Sequence, residues 1–109
     1  MTLDPVAVKA GFAAAINMDA DELEDWLESP QSLSVGQKKH GATESVGHAA
    51  GRRIVAILRT PDAALDDEDY RLMRKAVGFV RRHRAQEPAN MVTSRWRYSL
   101  MNWGHDPLK

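Results

Sequence analysis

Apolar side chains recur along this chain at intervals of three and four residues, and no segment alternates with period two for long enough to mark a strand. Asp4-Pro5 reads as an N-cap followed by proline at the first helical position. Val6, Ala10, Ala13 and Ala14 then repeat at helical spacing, widened by Phe12 and Ile16, which predicts a first helix over 5–17. Gly11 weakens that helix by about 1 kcal/mol relative to alanine and leaves room for a neighbour. Asp19-Ala20-Asp21-Glu22 has the form of a capping box with aspartate in the leading place. Leu23, Trp26 and Leu27 give the stripe of a short second helix over 20–28, which Ser29-Pro30 ends.

Residues 31–43 show no helical pattern and read as an extended loop carrying Gly36, Lys38, Lys39, His40 and Gly41. Connections this long in small domains tend to be functional or mobile. A third helix is predicted from Glu44 or Ser45 to Arg59, with Val46, Ala50, Ile54, Val55 and Leu58 buried. Gly47 and Gly51, four apart, suggest close packing along one edge, and Thr60-Pro61 closes the element. Asp66 caps a fourth helix reaching Arg84 or Gln86, with Asp67, Glu68 and Asp69 at the positive end of its dipole. Its apolar stripe is Tyr70, Met73, Val77 and Val80, broadened by Leu72, Ala76 and Phe79, while Arg71, Arg74, Lys75, Arg81 and Arg82 fall largely opposite. Thr93 or Ser94 caps a last helix to Asn102, with Gly104 as its stop and Trp96, Leu100 and Trp103 aligned.

The pattern predicts an all-α single domain: a compact bundle of four or five helices with a long loop between the second and third. The expected core is Phe12, Ile16, Leu23, Trp26, Leu27, Ile54, Leu58, Met73, Val77, Val80, Trp96 and Leu100. The length of 109 residues suits one domain, which buries roughly 60–70% of the surface its unfolded chain exposes. Hydrophobic residues at 43% and charged residues at 28% are ordinary for a globular protein.

The absence of cysteine removes disulfides, thiolate catalysis and cysteine-based zinc sites. His40, His48, His83 and His105 are not spaced as metal ligands, and no nucleophile signature or phosphate loop accompanies them. Neither an enzyme nor a cofactor is therefore expected. There is no signal-peptide pattern and no membrane-length apolar run, so the expected compartment is the cytoplasm and no membrane partner is expected.

Charge changes the picture more than composition does. The formal net charge is zero, yet residues 1–50 hold three basic and eight acidic side chains, and residues 51–109 hold twelve basic and seven acidic. Three features could meet a polyanion. The acidic second helix, the loop and Gly51-Arg52-Arg53-Ile54 are similar to helix–extended-loop–helix DNA-binding modules such as the SAP and helix-extended-helix domains, which set a small residue and cations at the start of a second helix. Here the basic pair sits in mid-helix and the loop is longer. The cationic side of the fourth helix could follow a phosphate backbone. In the tail, Arg95-Trp96-Arg97-Tyr98 interleaves aromatic and basic residues as base-stacking surfaces do, though the tryptophans also suit anchoring the last helix.

Three segments carry a family resemblance: Glu22-Leu-Glu-Asp-Trp-Leu27, Gly47-His-Ala-Ala-Gly-Arg-Arg-Ile54, and Arg95-Trp-Arg-Tyr-Ser-Leu-Met-Asn-Trp-Gly-His-Asp-Pro107. They resemble a small bacterial and fungal family, the domain of unknown function numbered three thousand one hundred and forty. The resemblance covers nearly the whole chain and implies one domain. Some members bear an automated DNA-binding label, but the family has no established activity to carry over.

The functional expectation is non-enzymatic DNA binding through the phosphate backbone, with Lys38, Lys39, Arg52, Arg53, Arg81, Arg82, Arg95 and Arg97 supplying charge. The alternative is a protein-interaction module, a homodimer or other homo-oligomer or the receiver of another protein, whose acidic second helix docks on a basic surface of its partner. The first expectation requires cations distant in sequence to converge in space.

Overall fold

The computed structural model describes residues 4–109. Helices form where caps and apolar stripes coincide: α1 (Pro5–Ala15), α2 (Ala20–Leu27), α3 (Pro30–Leu33), α4 (Val46–Leu58), α5 (Asp67–Arg84) and α6 (Arg95–Asn102), with a 3₁₀ turn at Asp62–Ala64. No strand occurs among the described residues, where pairing is limited to an isolated antiparallel bridge between Lys38 and Ser45. The chain is thus all-α, and its radius of gyration of 13.5 Å is that of a globule this size.

The caps act as their chemistry requires. Asp4 accepts from the Val6 N–H at 3.1 Å. Both Asp19 with Glu22 and Asp66 with Asp69 close reciprocal capping boxes, satisfying two orphan donors each. Ser94, not Thr93, caps α6 by accepting from the Arg97 N–H at 3.1 Å. Gly104 follows α6 with φ +85°, the left-handed conformation that a C-terminal stop favours.

Two layers meet around α6. The α1 helix lies along α5, α2 lies along α4, and α6 touches α2, α3, α4 and α5. The core joins Phe12, Leu23, Leu27, Ile54, Met73, Val80, Trp96 and Leu100 with side chains absent from the expected set, namely Met18, Val55, Ile57, Leu72, Ala76 and Trp103. Trp26 and Val77 are half-buried against it.

Three expectations need correction. Part of the expected loop is helical: Ser29-Pro30 does end α2, but it also starts α3, because the Ser29 hydroxyl accepts from the Ser32 N–H at 3.1 Å and proline sits at the first helical position. Leu58 is 37% exposed, since the last turn of α4 runs past the core and Ile57 faces inward instead. The first helix turns a different face to the core: Val6, Ala10, Ala13 and Ala14 are exposed, while Phe12 is buried and Val8 and Ala15 pack beside it. Alanines give a stripe little direction, and one large aromatic ring decides which face is inside.

Candidate nucleic-acid interface

Four of the cations singled out from the sequence, Arg52, Arg53, Arg95 and Arg97, find partners close at hand. On α4, Arg52 Nε donates to Glu44 Oε2 at 2.8 Å, and Glu44 also pairs with His48. These two partners hold the Glu44 carboxyl down at about 2, with the Arg52 hydrogen bond the larger cause and the His48 hydrogen bond next. Arg53 stands 3.7 Å from the Asp69 carboxylate. In α6, Arg97 forks onto Asp106 through two bonds of 3.2 Å and donates to the Val92 carbonyl at 2.8 Å. Arg95 donates to the Ser34 carbonyl at 3.0 Å. Lys38 and Lys39 lie exposed in the loop. The eight residues singled out from the sequence therefore do not form one continuous positive region. At the start of α4 the Ser45 hydroxyl accepts from the His48 N–H at 3.0 Å and the Gln37 carbonyl accepts from the Val46 N–H at 2.9 Å, and Arg52 and Arg53 lie a turn or more beyond.

The acidic second helix is also engaged within the chain. Arg59 donates to Asp21 at 2.7 Å and to Glu24 at 2.9 Å, and Lys109 donates to Glu22. Arg59 lowers the Glu24 carboxyl by direct hydrogen bonding.

Elsewhere the cations do converge. A groove of about 640 Å³ runs between α1 and α5, lined on the α5 side by Arg71, Arg74, Lys75, Arg81 and Arg82. Arg74 is already engaged in an interaction of its own. Arg71, Lys75, Arg81 and Arg82 form no ion pair among the described residues. The opposite wall is Ala7, Val8 and Gly11, and α1 contains no carboxylate between Pro5 and Ala15. From Arg71 to Arg82 the stripe extends about 16 Å at the usual helical rise. Gly78 lies mid-stripe, and a Cβ there would come within 2.9 Å of Arg82 Nη1, so the guanidinium folds back over the helix.

Local helix energetics account for only part of this arrangement. Arg81 and Arg82 occupy the last turns of α5, where the dipole favours positive charge. Arg71 and Lys75 do not: they lie in the first half of the helix and form a like-charge pair at i, i+4, which is mildly unfavourable. The sequence pattern marks this face as one that could follow a phosphate backbone and singles out Arg81 and Arg82 on it. What it missed was the acid-free second wall, which depends on α1 packing beside α5.

A second cavity, of about 320 Å³, opens beside the groove. Lys75 lines both. Its other walls include Gly47 of α4, Phe79 and His83 of α5, and Ser99 and Trp103 of the α6 segment. The Phe79 ring stacks between His83, at 4.9 Å, and Trp103, at 4.7 Å, each inclined by 18°. Burial lowers the His83 pKa from its ordinary value, opposed in part by the Trp96 backbone. His83 Nε2 has no hydrogen-bond partner among the described residues. In those same residues no group of three or more carboxylate or imidazole side chains is placed to hold a metal ion, and no helix is long and apolar enough to cross a membrane.

The family described as "Protein of unknown function (DUF3140)" fits residues 11–101. No curated protein and no solved structure matches the chain.

Proposed function

Because the chain belongs to the DUF3140 family, whose description supplies no activity, its function has to be read from its surface, and we propose that it binds nucleic acid by holding the phosphate backbone of DNA in the α1–α5 groove. The observation that carries this reading is the contrast between two sets of cations. Arg52, Arg53, Arg59 and Arg97 each meet a carboxylate. Arg71, Lys75, Arg81 and Arg82 share an acid-free groove without one. Aligned, unneutralised cations on one helix face produce a local field that attracts a polyanion even when net charge is zero. Relative to the sequence expectation, Arg81 and Arg82 stay in the interface, Arg71 and Lys75 join it, and Arg52, Arg53 and Arg97 serve the fold.

The reading involves phosphate and not base contacts, so it implies affinity without sequence preference. The test is fluorescence-anisotropy titration of a labelled oligonucleotide across a salt series. Binding should weaken log-linearly, with a slope of about −2 to −4 for three or four neutralised phosphates. Charge reversal at Arg71 and Arg82 together should abolish it in a protein whose helical circular dichroism is unchanged. An absence of binding at about 50 mM salt, where such contacts are strong, overturns the proposal.

A further inference from the structure

We infer that the strand taken by the α1–α5 groove is single, and that one of its bases leaves the stack to enter the adjoining cavity beside Lys75, Ser99 and Trp103. This rests on the backbone reading above. Lys75 borders both concavities, so a phosphate held at its ammonium brings the attached nucleoside to the cavity mouth. A duplex keeps its bases paired and stacked, whereas an unpaired strand can turn one out.

The cavity's chemistry suits a polar planar ring. Two ring nitrogens on its wall have no partner among the described residues: His83 Nε2, which is buried, and the indole nitrogen of Trp103, which is not sealed from solvent. The other two tryptophans are satisfied: Trp26 donates to Asn102 at 2.8 Å and Trp96 to the His83 carbonyl at 2.6 Å. A buried polar nitrogen such as His83 Nε2 ordinarily finds a partner. The Trp103 nitrogen is the atom nearest the Cβ position of Gly47, on the cavity wall, at 2.9 Å. A base carbonyl would supply the missing acceptor, and the Ser99 hydroxyl offers a second donor or acceptor nearby. The Phe79 ring already stacks with both His83 and Trp103, so the base is held by hydrogen bonds and ring edges, without intercalating at Phe79.

Anisotropy titrations at about 50 mM salt, where backbone binding is strong, compare a deoxythymidine strand, an abasic strand of equal length, the matched duplex and thymidine monophosphate. The thymidine strand should bind at least about fivefold more tightly than the abasic strand, the lower end of what a single base contributes. Ser99→Leu, which fills the cavity, should erase that difference while leaving abasic-strand affinity and salt slope unchanged. A strand carrying 4-thiothymidine, photocrosslinked to the unaltered protein, should mark residues of the cavity, which needs no folded variant. Equal binding of thymidine and abasic strands, or a crosslink only outside the cavity, overturns the inference and leaves backbone binding standing. Equal binding of the duplex, or of the free nucleotide, overturns the single-strand assignment. If none of the strands binds in a salt-dependent way, the backbone reading falls and this one with it.

Discussion

Trp26 of α2 donates its indole N–H to Asn102 Oδ1 of α6 across 2.8 Å, and that one amide oxygen also accepts from the Ser32 hydroxyl of α3. The amide nitrogen of Asn102 returns a bond of 3.1 Å to the Ser32 carbonyl. Asn102 is 1% exposed, so a single buried side chain joins three helices by hydrogen bonds. Removing it leaves an indole N–H, a hydroxyl and a carbonyl without these partners in a largely buried site. Asn102→Ala is therefore expected to cost about 3 kcal/mol. Urea unfolding measures this directly, and a loss below about 1 kcal/mol, the worth of one ordinary hydrogen bond, would show that the network relaxes or hydrates.

Two helical glycines should respond in opposite directions to alanine. At Gly51 a Cβ would lie 2.3 Å from the Asn102 carbonyl and 2.8 Å from Leu27 Cδ2, so α4 would have to move away from both neighbours. Gly51→Ala should destabilise by about 3 kcal/mol, the upper range for an overpacked core. At Gly11 the nearest side-chain atoms stand 3.7 Å away, an ordinary contact with Val77. Gly11→Ala should stabilise by about 0.5–1 kcal/mol through helix propensity alone. Thermal unfolding of the two variants side by side reads both signs.

Acid should weaken the fold in two steps. Burial lowers the His105 pKa from its ordinary value, and its ring sits between the Ala15 carbonyl, 2.6 Å from Nδ1, and Arg84, 3.2 Å from Nε2. The neutral ring thus donates at Nδ1 and accepts at Nε2. Since the unfolded chain protonates its histidines first, stability should begin to fall as pH drops below about 6.5. The Glu44 carboxyl, held at about 2 by Arg52 and His48, adds stability that is complete above its ordinary value of 4.5 and is lost as pH falls from there toward 2. Denaturant midpoints across pH should show both declines. Glu44→Gln should flatten the lower one alone, and an unchanged profile in that variant would contradict the assignment.

The division of labour among arginines gives a paired outcome. Arg52→Ala removes a partner of Glu44 on α4, so it should lower stability slightly and leave oligonucleotide affinity within about twofold, as a charge away from the contact does. Arg71→Ala, in the groove, should leave the unfolding midpoint nearly unchanged. It should also reduce the steepness of the salt dependence by about 0.7–0.9 in the log–log plot, the share of one phosphate contact. The reverse assignment of effects would relocate the interface to α4.

Much of the helical layout could be read along the chain because its causes are local. Asp19, Asp66 and Ser94 act on N–H groups within three residues, and the stripe of Met73 and Val80 arises from helical spacing alone. The same locality explains the error at residues 30–33, where Ser29-Pro30 has two local meanings and only Ser32 and Asn102 decide between them. The candidate site was less legible. The cations of α5 were visible as a stripe, but whether a stripe is neutralised depends on what packs opposite. No spacing rule links Arg59 to Asp21 or Arg97 to Asp106, and none places α1 beside Arg71.

By itself, then, the order of residues determined which stretches coil, where they start and stop, and which single face of α5 is basic, because those outcomes rest on forces that act within one or two turns. Tertiary packing alone decided that the alanine stripe of α1 stays exposed, that Arg52, Arg53 and Arg97 meet carboxylates, and that the α5 cations keep an acid-free wall beside a cavity. Charge and hydrogen bonding act through space over a few ångströms, and the neighbours within that reach are set by how the helices are laid together.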